Sequence, residues 1–363
     1  MRHADAGAPG DLRGLLAAMH RYLEHRGVLG STEASLYNME RRIRDFTDWC
    51  HERGVTHPSQ VSHAVLERYQ RFLYHYRKRN GEPLGVGTRR AMVIPLKGFF
   101  KWLTRTGEIP ANPAADLDMP RDIRRLPRAV LTAEEAERVI SGADVSTPMG
   151  LRDRAMLEVL YATGMRRMEM AQLRVDDIDM QRAVVLIRLG KGLKDRLVPL
   201  GERALYWVQQ YLEQARPQLA WDANEHALFL GVEGQALSKS WLSKLVGLHV
   251  DRAQLGKRGG CHLWRHTMAT LMLEGGADIR FIQAMLGHED LTSTQIYTHV
   301  AIRQLQQVHA MTHPGAQRRV RGAQTTEGTP TPSPESQNAA EALLAALDSE
   351  AEEEAREDQD GDT

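Results

Sequence analysis

The sequence predicts a mainly α-helical protein with two domains, a small β-hairpin in the second domain and a disordered acidic tail. Three observations lead to this prediction. Apolar residues recur every three or four positions, one short run of β-formers interrupts them, and the composition shifts toward Thr, Pro, Ser, Ala and Glu beyond about Gly322. A chain of 363 residues is long enough for two domains of ~100–200 residues each. The predicted boundaries are 10–108 for a helical domain, 109–130 for a linker, 131–315 for a second domain and 322–363 for the tail.

Residues 11–106 contain four segments whose apolar residues fall on one helical face. The clearest stripe consists of Leu36, Met39, Ile43, Phe46 and Trp49. Pro95 is expected to kink or delimit the fourth helix, because proline lacks the N–H that a helix interior uses. Four prolines and several arginines then make residues 109–128 an extended basic linker. The second domain should open with a helix, because Thr132 and Glu135 have the spacing of a capping box.

A β-hairpin is predicted within 173–200 of the otherwise helical second domain. β-Forming residues occupy the run from Ala183 to Arg188, and the chain returns as a partner strand from Arg196 to Leu200. Between them, Gly190-Lys191-Gly192 supplies the residues that a tight turn favours. Lys191 is therefore expected at the tip of the hairpin.

The charge is distributed unevenly along the chain. The 47 basic and 47 acidic residues balance overall, but 325–363 holds twelve acidic residues and one basic residue. This leaves 46 basic and 35 acidic residues in 1–324, a basic body that attracts polyanions, with nucleic acid as the leading candidate. An ordinary arginine-rich surface would have the same composition. The candidate DNA contacts on helix exteriors and in the linker are Arg41, Arg44, Arg77, Arg79, Arg89, Arg90, Arg124 and Arg125.

The acidic tail has two interpretations. It either competes with DNA for the basic face of the body or serves as a solubilising end. One short helix is expected inside it, over 339–351, with three leucines on one side: Leu343, Leu344 and Leu347.

The composition argues against a membrane protein, a secreted disulfide scaffold and a wholly disordered chain. No apolar run approaches the ~18 residues of a membrane span, and the N-terminus lacks the basic-then-apolar pattern of a secretory signal. Two cysteines, Cys50 and Cys261, are too few for a disulfide framework. We therefore expect a cytoplasmic protein in a reducing compartment.

Three segments of the second domain combine residues suited to phosphate chemistry. Arg166 follows a glycine that should end a helix, which leaves its guanidinium free to project. His262 and Arg265 are three residues apart, so a helix directs both toward one point. Two guanidiniums can clamp one phosphodiester and stabilise the charge that gathers there during phosphoryl transfer. Tyr297 is a candidate nucleophile that needs local activation, and Lys191 is a candidate acid for the leaving oxygen.

Each of these residues also has a simpler interpretation. Arg166 and Glu169 could form a surface ion pair, the hairpin lysine could be a solvated turn residue, and Tyr297 could be a half-buried aromatic. His262 and His266 stand four apart and could be half of a zinc site, although no acidic or second cysteine ligand stands nearby. What favours one site is the ordered occurrence of all these residues in one domain.

The chain resembles the tyrosine recombinases, the phage integrase family, and within them the Xer-type resolvases. The resemblance covers about residues 12–315 and rests on five ordered motifs. These are Tyr161 to Glu169 as the first arginine box, Gly190 to Leu200 as the lysine hairpin, His262-Leu263-Trp264-Arg265-His266 as the second box, Leu286-Gly287-His288 as the third, and Thr294 to Val300 as the nucleophile segment.

The resemblance implies an N-terminal helical, SAM-like core-binding domain and an α+β catalytic domain. Tyr297 would attack the scissile phosphate, forming a 3′-phosphotyrosyl link and releasing a 5′-hydroxyl, so that neither ATP nor a metal cofactor is needed. Lys191 would act as general acid, and Glu169 would support the site from behind. The implied catalytic residues are Arg166, Lys191, His262, Arg265, His288 and Tyr297.

The resemblance also implies an assembly. Four protomers would exchange strands of double-stranded DNA at a specific recombination site through a Holliday junction, with about 301–313 docking on a neighbouring subunit. The sequence leaves open whether the tetramer is homomeric or includes a sister recombinase, and whether a DNA translocase activates it. We expect no arm-binding domain of the kind that larger phage integrases carry, which favours a simple recombinase over an excision-directed phage enzyme. The tail runs some fifty residues past the usual Xer end. The long tail favours a plasmid, transposon or genomic-island role over chromosomal housekeeping.

Three other functions stay open at this point. The first is a strand transferase like the type IB topoisomerases, which uses similar chemistry without exchanging partners. The second is a non-catalytic DNA-binding or assembly protein derived from a recombinase. The third is a zinc-dependent hydrolase built on His262 and His266.

Overall fold

The computed structural model describes residues 11–120, 130–188, 195–287, 299–316 and 339–351, and the chain divides into two compact units after Arg125. In the first unit, the four predicted helices are confirmed as α1 (Leu15–Val28), α2 (Glu33–His51), α3 (His63–His75) and α4 (Val86–Arg105). Thr32 caps α2, because its side chain accepts a hydrogen bond from the backbone N–H of Ser35. Pro95 lies inside α4 and does not end it.

Aromatic side chains from α2, α3 and α4 form the core of the first unit. The ring of Phe46 meets Tyr69 edge-on at 5.0 Å and Phe100 at 5.9 Å between ring centroids. Burying each such side chain contributes roughly 1.5–3 kcal/mol. Ile109, Ala114 and Leu117 are buried in the same core, so the first part of the predicted linker packs as part of this unit.

The second unit combines helices with one small sheet. The predicted capping box is present, since the Glu135 carboxylate accepts from the backbone N–H of Thr132, whose hydroxyl accepts from that of Glu135. Its elements are α5 (Ala133–Ser141), α6 (Pro148–Thr163), α7 (Arg167–Ala171), β1 (Ile178–Asp179), β2 (Val184–Ile187), β3 (Arg196–Pro199), α8 (Gly201–Gln210), α9 (Arg216–Leu219), α10 (Lys239–Arg252), α11 (Cys261–Glu274), α12 (Ile279–Leu286), α13 (His299–Thr312) and α14 (339–351).

The predicted hairpin is confirmed as strands β2 and β3, which pair antiparallel with Val185 opposite Val198. The short strand β1, which the sequence pattern did not indicate, pairs with the other edge of β2. The turn that should carry Lys191 falls in 189–194, outside the described residues.

Helix α6 occupies the centre of the second unit. Nearly all of its residues from Gly150 onward are buried, and it packs against α5, α8 and α11. A helix that is packed on every side cannot shift unless its neighbours move with it, so the positions of its ends are well fixed. Tyr161 near its C-terminal end meets Trp264 of α11 edge-on at 5.7 Å. The turn after α6 is therefore held rigidly beside α11.

Helix α13 packs on the second unit, to which it belongs, against β3, α8 and α11. Ile302 and Leu305 are buried within the chain itself. The docking of about 301–313 on a neighbouring subunit, which the resemblance implies, stays a prediction. Beyond Leu305, His309 donates to the carbonyl of Ala162 at 3.0 Å, and His313 donates to that of Tyr161 at 2.7 Å. These bonds satisfy carbonyls at the C-terminal end of α6, which explains why the segment folds back here.

The two buried histidines predict that acid destabilises the protein. Burial lowers the pKa of His309 from 6.5 to about 4 and places that of His313 well below its usual range. Between these pH values the unfolded chain takes up protons that the folded chain does not, so stability falls as the pH drops from about 6.5 toward about 4. The loss is on the order of a few kcal/mol. Urea unfolding at a series of pH values measures it, and a His309→Gln variant should show a flatter dependence; an unchanged slope would contradict the assignment.

The tail contains the helix that its leucine spacing indicated. Residues 339–351 are helical, and Leu343 and Leu347 are buried in the core of the second unit. Over this stretch a packed helix replaces the disorder expected for the tail as a whole. Residues 317–338 and 352–363 lie outside the described part of the chain.

Within the described ranges, no helix combines the length and the hydrophobicity that crossing a bilayer would require. Both cysteines of the chain are described, and both are buried. Cys50 lies in the core of the first unit and Cys261 in that of the second, so the two form no disulfide.

Candidate active site

Arg166 is placed by the turn that ends α6. Gly164 caps this helix in the left-handed conformation, with φ 56° and ψ 26°, which glycine adopts without steric cost. Arg166 follows at the N-cap of α7, where its backbone N–H donates to Oε2 of Glu169 at 2.8 Å. The side chain, with 14% of its surface exposed, leaves the helix end toward α11 and α14.

A Gly164→Ala substitution is expected to destabilise the second unit by about 1–3 kcal/mol. An added Cβ would suffer left-handed strain and would lie 2.4 Å from Cε of Met268. Gly256→Ala is the matched control, since Gly256 has φ 68° and open space around it. Thermal or urea unfolding should show the larger loss for Gly164→Ala, because only that variant adds overlap to the strain. Equal losses in the two variants would show that the close packing at this turn contributes nothing.

Arg265 on α11 lies next to this turn and is 1% exposed. Its Nη1 donates to the carbonyl of Gly164 at 2.8 Å, and its Nη2 donates to the carbonyl of Leu286 at 3.0 Å. Burial, together with the nearby Arg166, lowers its pKa to about 10, which still leaves it protonated at neutral pH. Arg265 is thus a fixed cation, with two of its donors committed to the backbone.

Glu169 lies behind Arg166 and links it to a third arginine. Arg196 of β3 binds it with two parallel hydrogen bonds of 2.8 and 2.7 Å, and Nη1 of Arg166 lies 3.3 Å from Oε1. Burial alone would raise the pKa of Glu169, but the hydrogen bonds and charge of Arg196 hold it below its usual value. Arg196 also donates to the carbonyl of Met285 at 2.9 Å, so β3 and α12 both brace this carboxylate.

The sequence had not singled out Arg196 as a site residue, although it stands inside the lysine hairpin motif. Its alternation with Leu197 predicts only which face of β3 it occupies. The partner on that face, Glu169, comes from a different element of the fold. An arginine on the core-facing side of a predicted strand is the one signal that could have pointed to this contact. A buried cation requires a buried anion nearby.

The guanidiniums of Arg166 and Arg265 converge on one carboxylate. Nη2 of Arg166 lies 2.6 Å from Oε1 of Glu350, and Nε of Arg265 lies 3.1 Å from Oε2. Glu350 belongs to α14, far along the chain from both arginines, and nothing local in the sequence indicated this contact. The two cations can therefore hold a single small anion between them.

The histidines of α11 lie next to these arginines. His262 stands in the first turn of α11, three residues before Arg265 as the sequence predicted, and both its ring nitrogens are shielded from solvent. His266 is buried with Nε2 3.5 Å from Oδ1 of Asp348, and burial lowers its pKa. Among the described residues, no three His, Cys, Asp or Glu side chains lie together as metal ligands would.

Part of the predicted set lies outside the described residues: Arg124, Arg125, Lys191, His288 and Tyr297. The other predicted DNA contacts belong to the first unit. Arg77 and Arg79 are exposed in the turn between α3 and α4, and Arg41 is half-buried on α2. Several of these arginines have intramolecular contacts. Arg77 donates to the carbonyl of Tyr76 at 3.1 Å, Arg44 pairs with Glu40 at 2.6 Å, Arg89 lies over the ring of Tyr74 at 5.1 Å, and Arg90 donates to the carbonyl of Pro120 at 2.7 Å.

Similar proteins show which family the chain belongs to. Residues 129–303 match the phage integrase family. The tyrosine recombinase XerC 2 of Ralstonia nicotianae is 48% identical over 296 residues, covering 82% of this chain and 85% of that protein. This identity and coverage are high enough to establish a shared family.

Solved structures agree at the level of the fold. The XerH site-specific recombinase bound to a palindromic difH substrate, a post-cleavage complex, matches with a TM-score of 0.62 and 22% identity over 82% of this chain and 95% of its own. A lambda integrase tetramer bound to a Holliday junction matches with a TM-score of 0.58 and 17% identity, over 81% of this chain and 82% of its own. The chain belongs to the tyrosine recombinases, and it is a Xer-like site-specific DNA recombinase.

Proposed function

We propose that this recombinase cuts and rejoins DNA through a covalent link between Tyr297 and a 3′-phosphate. One observation carries the proposal: Arg166 and Arg265 reach the two oxygens of a single carboxylate, at 2.6 and 3.1 Å. A phosphodiester offers two non-bridging oxygens with one negative charge, which suits the same pair of guanidiniums. Glu350 therefore stands in for the scissile phosphate.

In the proposed step Tyr297 gives its phenolic proton to His262 and its oxygen forms a bond to phosphorus, while the bond from phosphorus to the 5′-oxygen breaks. The leaving 5′-oxygen takes a proton from Lys191, because an alkoxide is too basic to leave unprotonated. The new 3′-phosphotyrosyl ester keeps the free energy of the phosphodiester. Attack by a 5′-hydroxyl from the partner strand then reverses the step and restores Tyr297.

The positive charges act on the phosphate oxygens as charge gathers there in the transition state. Fixed donors lower the barrier most when they need no reorientation, and Arg265 is held by two backbone carbonyls. Glu169 is proposed as a positioning residue, because it binds both the backbone and the side chain of Arg166. His262 is proposed to act as acid and base or as a hydrogen-bond donor, and His288 is proposed to donate a hydrogen bond to a phosphate oxygen.

The proposed partners are duplex DNA with a specific recombination site and further copies of the recombinase. XerH is solved on its difH substrate, and lambda integrase is solved as a tetramer on a Holliday junction. We propose the same assembly here: four subunits, homomeric or with a sister recombinase, exchanging strands in pairs. A cytoplasmic location belongs to the same proposal.

Nicked suicide duplexes drawn from the genomic neighbourhood test the proposal, because the nick lets the short cut fragment diffuse away and traps the covalent intermediate. We expect a protein–DNA adduct that survives denaturation and carries the strand through its 3′ end. Strand-end labelling identifies which end is attached. Specific binding without any adduct would contradict recombinase chemistry by this chain, and relaxation of supercoiled DNA without strand exchange would indicate a topoisomerase.

A further inference from the structure

Helix α14 is seated on the catalytic unit by an apolar face. Leu343, Leu347 and Ala351 recur every four residues and are at most 3% exposed. The opposite face, which includes Glu341, Ala345 and Ser349, is exposed. The two leucines belong to the hydrophobic core that also contains α6 and α11. This segment of the acidic tail is thus a docked amphipathic helix rather than only a charged extension.

The docking places one acidic side chain in the proposed phosphate site. Glu350 gives one carboxylate oxygen to Arg166 and the other to Arg265, and its side chain is 13% exposed. One turn earlier, Asp348 lies 3.5 Å from His266. A carboxylate and a phosphodiester each carry one negative charge, and each would bind the same two guanidiniums. The site can therefore hold only one of them at a time.

Charge compensation explains why an anion belongs there when DNA is absent. Among the residues that the structure describes, Arg166, Arg196 and Arg265 bring three positive charges into a region that is almost closed to solvent, and Glu169 supplies one negative charge. Buried positive charge that exceeds the buried negative charge around it is destabilising. Glu350 supplies the second anion from the same chain, as the DNA backbone would in the complex.

We propose that α14 is an autoinhibitory segment that occupies the phosphate site through Glu350 until DNA displaces it. The proposal rests on the function proposed above, in which Arg166 and Arg265 bind the scissile phosphate. Because α14 is tethered, it competes at an effective concentration of about millimolar. Duplex DNA of random sequence, which binds weakly, is therefore kept out of the catalytic site. DNA that carries the recombination site, bound in an assembled complex, binds tightly enough to displace the helix.

Three substitutions in the full-length protein test this proposal. Glu350→Gln removes the charge but keeps the size of the side chain, and Leu347→Asp removes the apolar anchor. Glu341→Gln is the matched control, since it makes the same chemical change on the exposed face of the same helix. We expect the first two variants to form the covalent adduct on a suicide duplex about 10- to 100-fold faster than the wild type, and the control to match the wild type.

Hydrogen exchange supplies a readout that does not depend on catalysis. The amides of 339–351 should be protected in the wild-type protein and in Glu341→Gln. They should lose protection in Glu350→Gln and Leu347→Asp, and in the wild type when saturating duplex is added. Fast exchange in the wild type, or protection that duplex DNA leaves unchanged, would overturn the proposal.

The two proposals fail in different ways. If no protein forms an adduct while exchange shows DNA displacing α14, the recombinase chemistry fails and the docking of the tail stands. If all four proteins form adduct at the same rate, the chemistry stands and the autoinhibition is wrong.

Discussion

Replacing Tyr297 with phenylalanine is expected to abolish the covalent adduct with DNA while leaving the affinity for the specific duplex unchanged. The substitution removes only the oxygen that bonds to phosphorus, and no other group of the site is proposed to take its place. The loss in cleavage should exceed about 10⁴-fold, the scale on which enzymes respond to removal of their nucleophile. Denaturing gels of a suicide-substrate reaction measure the adduct, and a gel shift measures binding.

Tyr206→Phe is the matched control for this experiment. Tyr206 is half-buried on α8, where its ring meets Trp207 edge-on at 5.2 Å, a contact that phenylalanine keeps. The control should cleave at the wild-type rate. Adduct formation by Tyr297→Phe would mean that another residue is the nucleophile.

Replacing Arg166 with alanine is expected to slow cleavage by about 10²–10³-fold, the usual cost of losing one fixed donor to a transition-state oxyanion. Arg166 suits this test better than Arg265, because its guanidinium contacts Glu169 and Glu350, whereas Arg265 also satisfies two backbone carbonyls. Alanine at 166 therefore leaves no backbone group without its partner. The rate of a single round of cleavage on a suicide duplex is the measurement.

Arg280→Ala serves as the control for charge loss. Arg280 is exposed at the start of α12 and pairs with Asp278, so its removal lowers the net charge equally without touching the site. Thermal unfolding of both variants shows whether the fold is kept. A fall of less than about threefold for Arg166→Ala, in a folded protein, would remove Arg166 from the proposed chemistry.

Much of the fold could be predicted from apolar spacing alone. The stripe from Leu36 to Trp49 predicts α2, and the β-formers around Val185 predict the hairpin, because each pattern has the period of its element. Strand β1 is too short for any period to indicate it. The packing of α13 on its own chain also escaped prediction, since it depends on His309 and His313 meeting carbonyls of α6.

The site could be predicted only as a set of residue types. Arg166 and Arg265 were identified from their motifs, and the fold brings them together because α6 and α11 pack side by side. The bond from Arg196 to Glu169 joins residues from separate elements. Glu350 is even more distant in the sequence from the arginines that it contacts. The leucines of the tail predicted the helix, but only the tertiary fold shows where the carboxylate of Glu350 lies.

A substrate with a neutral scissile linkage tests most directly that Arg166 acts on the negative charge of the phosphate. Replacing one non-bridging oxygen with a methyl group removes that charge and leaves the reacting bonds in place. Wild type and Arg166→Ala are then compared for adduct formation on the charged and the neutral duplex. We predict that the difference between the two proteins shrinks by about tenfold or more on the neutral linkage, because the arginine no longer has a charge to compensate. An equal difference on both substrates would contradict the account, since Arg166 would then act elsewhere than on the phosphate.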